Sequence, residues 1–341
     1  MHYALTRKET PCPVCRSEAA HLLYNVTSEQ AAQHFVLREV EPERFARLRQ
    51  HIEALWKQSE CDVVRCDNCE FCYSSPYVAG DMQFYELAYH RKSYPSWKWE
   101  HQLTYNALRT SGASRFRILE VGAGDGAFVR RIAPGLTAKE NVTCTEFSTF
   151  GLDRIRAYGI SCVAEDVREL SSKDLYGAFD VVCMFQVLEH MDRLDALFER
   201  IAWLAKRNAS LFVSVPNPVR IEFTELNGGC LDMPPNHVGR WNRKCFEVLG
   251  ERFGWSLAQH EIETSEGFIS KAKNFSLYRY LLRRQQAPSL ANRIEQIRSY
   301  RMRRLMQIMG VCLAAVSGLP SWLALRSDEL GSSQWVHLKR S

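Results

Sequence analysis

The sequence predicts an α/β protein whose main domain is a doubly wound, mostly parallel sheet. Two observations predict this class: β-rich runs alternate with helical patterns from residue 117 onward, and the run 181–185 is apolar throughout, as in a central strand covered on both faces. Apolar residues make up 46% and charged residues 24% of 341 residues, which indicates a packed core and excludes global disorder.

Seven strand candidates and four helical candidates build this domain. The strand candidates are 117–121, 142–145, 160–163, 179–185, 210–215, 256–262 and 334–338. The helical candidates between them are 127–132, 150–158, 194–205 and 244–253.

A long uncharged run precedes the last strand candidate. Residues 305–325 carry no charge and are numerous enough to cross a bilayer, although Gly310 and Pro320 weaken a spanning helix. If 334–338 pairs with the same sheet, one crossing would leave that strand on the wrong side. We therefore expect the run to be buried, interfacial or at a subunit contact.

The basic residues are concentrated just before that run. The net charge is +5, but residues 271–304 hold ten Lys or Arg against the single acid Glu295, so the rest of the chain sums to −4. We expect residues 271–325 to form a helical insertion. Its expected role is to cover a bound substrate, to contact a subunit, or to meet anionic lipid or a phosphorylated substrate. The polar N-terminus lacks a secretory pattern, which predicts a cytoplasmic protein with reduced cysteines, peripheral to the inner membrane face if the insertion meets lipid.

A glycine-rich turn follows the first strand of the alternating region. Residues 117–126 read R-I-L-E-V-G-A-G-D-G, and Gly122 and Gly124 allow the backbone to approach a ligand closely. Glu146 lies 20 residues beyond Gly126, where an acid can accept the hydroxyl hydrogens of a ribose. Two interpretations fit: G-x-G-x-x-A of a dinucleotide site, or E-x-G-x-G-x-G beginning at Glu120.

The second pattern resembles motif I of class I S-adenosylmethionine-dependent methyltransferases, and further motifs follow in order. Residues 164–167 read A-E-D-V, 179–191 resemble the family's fourth-strand motif ending in Leu-Glu-His, and 203–217 resemble its fifth-strand stretch. The resemblance covers 117–262 plus the last strand, and implies a Rossmann-like seven-stranded sheet that binds S-adenosylmethionine. The implied donor-binding residues are Glu120, Gly122, Gly124, Glu146, Asp166, Val167 and Gln186.

Candidate catalytic groups follow the fourth and fifth strands. Glu189 and His190 lie at the carboxyl edge of the sheet, and an ordinary histidine pKa suits a general base. His237 lies in a stretch resembling the P-P-x-H-x-x-x-[WF] loop of methyltransferases that act on sugars and other small molecules. A structural role, capping for His190 or loop bracing for His237, is the alternative. Related O-methyltransferases carry a metal-binding acid where this chain has Gln186, which disfavours a catalytic metal.

Paired cysteines near the N-terminus predict a zinc site. Two Cys-x-x-Cys pairs are separated by 50 residues that include a helical stretch, 43–57, and four thiolates suit tetrahedral Zn²⁺. An iron–sulfur cluster is the alternative, and Cys61 and Cys72 leave the choice of ligands open. The predicted ligands are Cys12, Cys15, Cys66 and Cys69. Such pairs ahead of this core look like those of zinc-containing sugar C-methyltransferases.

These features predict five segments and one leading function. The segments are a zinc module (1–80), an aromatic helical connector (81–112), the methyltransferase core (113–265), a basic and apolar helical insertion (266–329) and the last core strand (330–341). We expect methylation of a small-molecule acceptor, such as a sugar, nucleotide-sugar or lipid-linked glycan. RNA methylation, a non-catalytic donor-binding regulator and an oxidoreductase are the alternatives, and the sequence leaves the oligomeric state open.

Overall fold

The computed structural model describes residues 10–89, 97–111, 115–226, 232–264, 268–317 and 330–341. Its strands are β1 (Ala20–Thr27), β2 (Glu60–Cys66), β3 (Cys72–Ser75), β4 (Ile118–Val121), β5 (Val142–Thr145), β6 (Ser161–Val163), β7 (Phe179–Phe185), β8 (Ala205–Pro216), β9 (Gly239–Arg240), β10 (Trp255–Ile262) and β11 (Ser333–Arg340). Its α-helices are α1 (Ser28–Phe35), α2 (Pro42–Trp56), α3 (Met82–Ala88), α4 (Trp99–Thr110), α5 (Val129–Ile132), α6 (Thr149–Ala157), α7 (Leu194–Leu204), α8 (Pro218–Leu226), α9 (Arg243–Arg252), α10 (Phe268–Gln285), α11 (Leu290–Glu295) and α12 (Tyr300–Ser317).

The main sheet has seven strands in the order β10-β11-β8-β7-β4-β5-β6. The pairs β4/β5, β4/β7, β5/β6 and β7/β8 are parallel, while β11 runs antiparallel to both β8 and β10. The predicted α/β fold is therefore confirmed. The strand order reverses at β4, and ligands of such sheets bind beyond the carboxyl ends of the strands at this point.

The fifth strand of the main sheet begins earlier than the sequence indicates. The sequence pattern predicts a start at residue 210, but β8 starts at Ala205, which pairs with Phe179, while Ser210 pairs with Val181. The intervening polar residues form an irregularity in the pairing, with Asn208 at φ 63°. A polar run of this kind resembles a turn in sequence because its side chains face solvent.

A second, antiparallel sheet in the order β1-β2-β3-β9 carries the N-terminal cysteines. Its last strand, β9, comes from the segment that follows α8, so the N-terminal module is completed by a piece of the main domain. The two parts also share a hydrophobic core, where the rings of Phe71 and Trp241 lie 4.8 Å apart. The helical stretch predicted between the cysteine pairs is α2, which buries Phe45, Leu48 and Ile52.

Helices α10, α11 and α12 lie between β10 and β11, as predicted for the helical insertion. The insertion contacts the N-terminal module, since Gln285 Nε2 lies 3.0 Å from His34 Nδ1 and Asn292 Nδ2 donates to Glu39 Oε2 at 3.1 Å. In the part of the chain that the structure describes, no helix has the length and apolar character needed to cross a membrane. Residues 318–325 of the uncharged run lie outside the described residues.

Candidate active site

The glycine-rich loop follows β4 at the switch point of the sheet. Gly122 and Gly124 adopt left-handed backbone angles, with φ of 66° and 59°, which favour residues without a Cβ. Gly124 N donates to Glu146 Oε2 at 2.8 Å, and Ser148 N donates to Glu146 Oε1 at 2.7 Å. Glu146 therefore links the end of β5 to the loop and holds the loop in shape.

Glu120 lies inside the sheet just before this loop. Its side chain is 3% exposed, and its Oε2 atom has no hydrogen-bond partner among the described residues. Burial raises the pKa of Glu120 to about 8. A buried carboxyl group of this kind is stabilised in its charged form by a cation, which fits the ammonium of an amino-acid moiety.

Asp166 begins the short 3₁₀ helix Val167–Glu169, which follows β6. Its Oδ1 accepts from Arg168 Nε at 2.8 Å and its Oδ2 from Arg168 Nη2 at 2.5 Å. Burial raises the pKa of Asp166, but Arg168 more than offsets this, so the pKa lies below its ordinary value. Arg168 also donates to Asp192 Oδ1 at 2.9 Å, which ties this loop to the one after β7. No sequence pattern singles out Arg168.

Gln186 leaves β7 with a φ of 56°, facing two groups that the sequence did not single out. Its Nε2 lies 3.3 Å from Ser333 Oγ and 3.5 Å from Glu100 Oε1. Glu100 is 2% exposed, and Lys98 Nζ lies 3.7 Å from its Oε1. The start of α4 therefore brings a buried acid and a lysine close to Gln186.

Glu189, His190 and His237 come together at the carboxyl edge of the sheet. Each offers a ligand atom within 4.8 Å of the others, and the two imidazole centroids lie 4.6 Å apart. His237 Nδ1 lies 2.8 Å from Asp232 Oδ1, and His190 Nδ1 lies 2.6 Å from the Asn236 carbonyl oxygen. These contacts leave each Nε2 as the nitrogen able to act on a ligand. The three side chains are also of a type that can hold a divalent cation.

The same surroundings give these groups different protonation behaviour. Burial raises the pKa of Glu189 to about 7 and lowers that of His190 to about 3. Burial also lowers the pKa of His237, but the hydrogen bond and charge of Asp232 more than offset this, so it lies above the ordinary value. His237 is thus the imidazole of the pair that can accept a proton and keep it near neutral pH.

Sequence reasoning missed two side chains that orient these histidines. Asp232 holds His237, and the Tyr85 hydroxyl lies 2.9 Å from His190 Nδ1. Tyr85 belongs to the aromatic connector, whose composition was the only sequence signal for it. Asp232 lies five residues before His237, and an isolated acid in a loop carries no distinctive spacing.

The N-terminal sheet holds the loop that carries His237. Val238 N donates to the Glu189 carbonyl at 2.9 Å, and Ser74 N donates to the Val238 carbonyl at 3.0 Å. Gly239 then pairs with Tyr73 of β3. The loop is therefore fixed between the N-terminal module and the turn after β7.

The four predicted cysteine ligands lie together at one end of the N-terminal sheet. All four sulfur atoms lie within 4.8 Å of one another, with Cys12 Sγ 3.5 Å from Cys69 Sγ and Cys15 Sγ 3.4 Å from Cys66 Sγ. Tetrahedral Zn²⁺ with Zn–S bonds of about 2.3 Å requires sulfurs about 3.8 Å apart, so the donor set fits this metal. The hydrogen bond to Cys69, and then burial, raise the pKa of Cys12, a cost that a bound cation would remove.

The two other cysteines of this region have different contacts. Cys72 Sγ accepts a hydrogen bond from Arg65 Nε at 3.3 Å, and Cys61 Sγ lies 3.8 Å from the Pro76 carbonyl oxygen. Neither belongs to the four-sulfur cluster.

A cavity of about 990 Å³ lies between the N-terminal sheet, α8 and the end of α10. Arg240 on its wall pairs with Glu225 at 2.5 Å and donates to the Asp232 carbonyl oxygen at 3.2 Å. Tyr24 contributes an aromatic ring and donates to Glu225 Oε1 at 2.6 Å. The cavity wall is thus connected to the histidine cluster through Asp232.

A glycine-rich loop at the switch point of this seven-stranded sheet, with an antiparallel strand beside the fifth, is the arrangement of class I S-adenosylmethionine-dependent methyltransferases. A family model described as "Methyltransferase domain" matches residues 89–260, just over half of the chain. The chain belongs to this family and is an S-adenosylmethionine-dependent methyltransferase.

Solved structures similar to this chain share little of its sequence. A SAM-dependent methyltransferase from Archaeoglobus fulgidus is 15% identical over 71% of this chain and 94% of that chain, with a TM-score of 0.42. Magnesium protoporphyrin IX methyltransferase from Synechocystis PCC 6803 is 12% identical over 71% and 80%, with a TM-score of 0.38. Phosphoethanolamine N-methyltransferase 2 from Haemonchus contortus is 17% identical over 76% and 58%, with a TM-score of 0.43. Among curated proteins, no sequence matches.

Proposed function

We propose that this enzyme methylates a sugar, nucleotide-sugar or lipid-linked glycan at a hydroxyl or an acidic carbon. The observation that carries the proposal is the Asp232–His237 pair beside Glu189 and His190, at the same edge of the sheet as the glycine-rich loop. Methyl transfer needs an aligned nucleophile and, for such acceptors, a base that accepts one proton. A largely buried histidine held by a carboxylate is suited to that task.

His237 acts as the general base in this proposal. Its Nε2 takes the acceptor proton, and Asp232 on Nδ1 orients the ring and stabilises the imidazolium. His190, whose pKa is lowered to about 3 by burial, stays neutral and orients the acceptor, while Glu189 balances the charge on His237. The bound donor supplies the electrophilic methyl group.

The residues around the glycine-rich loop hold the donor in this proposal. Glu120 receives its ammonium, the backbone at Gly122 and Gly124 approaches its amino-acid portion, and Glu146 accepts from the ribose. Further contacts are assigned to Asp166 and Val167 beside the adenine and to Gln186 beside the amino-acid portion.

The cysteine cluster is proposed to bind a structural zinc ion through Cys12, Cys15, Cys66 and Cys69. The sulfur spacing supports this assignment, and the similarity to zinc-containing sugar C-methyltransferases favours a sugar acceptor. The adjacent cavity is consistent with such an acceptor, because it combines an aromatic ring, Tyr24, with hydrogen-bonding side chains such as Arg240 and Glu225.

A direct test is turnover with a panel of nucleotide-sugars, scored by mass spectrometry for addition of one methyl group. We expect His237→Ala to reduce turnover about a hundredfold with little change in donor affinity. His21→Ala, an exposed histidine paired with Asp67, is the matched control and should retain full activity. Turnover of His237→Ala at the wild-type rate would exclude the proposed base.

Calorimetry and metal analysis test the remaining parts. We expect S-adenosylmethionine to bind and NAD not to bind, and one zinc per chain in freshly purified protein. Donor binding without turnover of any small acceptor would favour a regulatory protein, and methylation restricted to RNA would replace the sugar proposal.

A further inference from the structure

Helix α12 has one apolar face that packs inside the insertion. Ala314 is 1% exposed, and Gly310 lies against Tyr280 of α10 so closely that a Cβ at this position would overlap the ring. Ala314 and Tyr280 belong, with Ile294 of α11, to one small hydrophobic core. This face accounts for the association of the three helices.

A second apolar face of α12 is exposed to solvent. Its residues recur at intervals of three and four, which places them along one side of a helix, opposite the packed side. The exposed fractions are 51% for Met302, 55% for Leu305, 57% for Ile308, 51% for Met309, 57% for Leu313 and 75% for Val316. Six large apolar side chains in one stripe form a contiguous exposed patch of a kind that is rare on the surface of monomeric soluble proteins.

Positive charge lies at the beginning of this stripe. Residues 298–325 contain four arginines and no acidic residue. Arg301 and Arg304 are exposed, and their helical positions flank the apolar stripe beside Leu305 and Ile308. A helix with an apolar face bordered by arginines at one end has the composition of an interfacial amphipathic helix.

We propose that the exposed face of α12 docks on an anionic lipid bilayer, lying in the plane of the interface. Lipid phosphates would pair with Arg301 and Arg304, while the stripe from Met302 to Val316 enters the acyl boundary. A second copy of the chain is a poorer occupant, because this face carries no acid to pair with those arginines. The opposite face of α12 packs on α10, so the helix lies on the membrane and does not cross it. The proposal is independent of the acceptor.

Vesicle flotation of the full chain tests this. We expect binding to vesicles with about 30% phosphatidylglycerol that is at least about tenfold stronger than binding to pure phosphatidylcholine and that weakens at high salt. Leu305→Glu with Leu313→Glu should reduce this binding about tenfold or more, whereas Leu22→Glu, a change at a 50% exposed leucine of β1, should not.

A second pair of variants separates charge from apolar contact. Arg301→Gln with Arg304→Gln should remove most of the preference for phosphatidylglycerol, whereas Arg47→Gln, an exposed arginine of α2, should leave it intact. Circular dichroism checks that each variant is folded.

Three outcomes would overturn the proposal. They are no binding to either vesicle, binding that ignores lipid charge, and a wild-type dimer in light scattering that the leucine double variant dissociates. The last result would identify the face as an interface between copies.

Discussion

The substitution Asp232→Asn tests the Asp232–His237 pair directly. Asp232 Oδ1 lies 2.8 Å from His237 Nδ1, and both side chains are largely buried. The asparagine keeps the shape of the side chain, and the backbone carbonyl of residue 232 still accepts from Arg240. The change therefore removes the negative charge of the carboxylate beside the His237 imidazole, with little disturbance of the loop.

The expected effect follows from that one contact. A hydrogen bond to a charged group contributes about 1.5–3 kcal/mol, and each 1.4 kcal/mol corresponds to a factor of ten. If His237 becomes an imidazolium in the transition state, Asp232→Asn should lower kcat between about tenfold and a hundredfold. Donor affinity should change less than about twofold, because the pair does not belong to the glycine-rich loop.

The pH dependence supplies a second readout. The base must be neutral before it accepts a proton, so turnover should rise as pH increases through the pKa of His237. Asp232 holds that pKa above 6.5, and its replacement should move the rise to lower pH. Histidine titration by NMR measures the same shift without an acceptor. An unchanged titration of His237, or an equal loss of donor binding and turnover, would refute the role of Asp232.

Three further predictions concern the donor loop and the cysteine cluster. Burial raises the pKa of Glu120 to about 8, so binding of the ammonium of S-adenosylmethionine beside it should release a proton from Glu120 at pH 7. Calorimetry in two buffers detects this release, and Glu120→Gln should abolish it. Cys66→Ser should abolish binding of the proposed zinc and lower kcat about tenfold, since the N-terminal sheet holds the His237 loop. Cys72→Ser should retain the zinc and the wild-type kcat, because Cys72 lies outside the cluster. Zinc retained by Cys66→Ser would contradict the proposed ligand set. Gly151→Ala would push a methyl group into the Gly124 carbonyl oxygen of the glycine-rich loop. Donor affinity should therefore fall at least about tenfold, and the free energy of unfolding by about 1–3 kcal/mol. Gly135→Ala, with open space around it, should change neither quantity. Wild-type donor affinity in Gly151→Ala would show that the loop is not sensitive to this contact.

Much of the core could be predicted because its strands are marked by local patterns. The apolar run 181–185 of β7 and the glycine-rich turn after β4 depend only on neighbouring residues. The predicted start of β8 at residue 210 was wrong. Pairing with Phe179 brings a polar segment into the sheet, although no local propensity favours a strand there. Strand β9 has two residues and exists only through its pairing with β3, so periodicity could not indicate it.

The candidate site divides in the same way. The sequence motifs predicted Glu189, His190 and His237 as site residues. No local pattern indicated that the ring centroids of His190 and His237, on two different loops, lie 4.6 Å apart. Asp232, which raises the pKa of His237, was missed, because a hydrogen bond of this kind depends on how the loops meet.

By itself, the sequence determined the class of fold, the donor type, the residues offered for chemistry and the excess of basic residues before β11. Each is a property of short segments, fixed by residue type and spacing. Only the tertiary structure decided which protonation states those residues favour, that the cysteine module holds the His237 loop, and that one apolar face of α12 is buried while the other is exposed. These depend on burial and on contacts between segments far apart in the chain, which a local pattern does not encode.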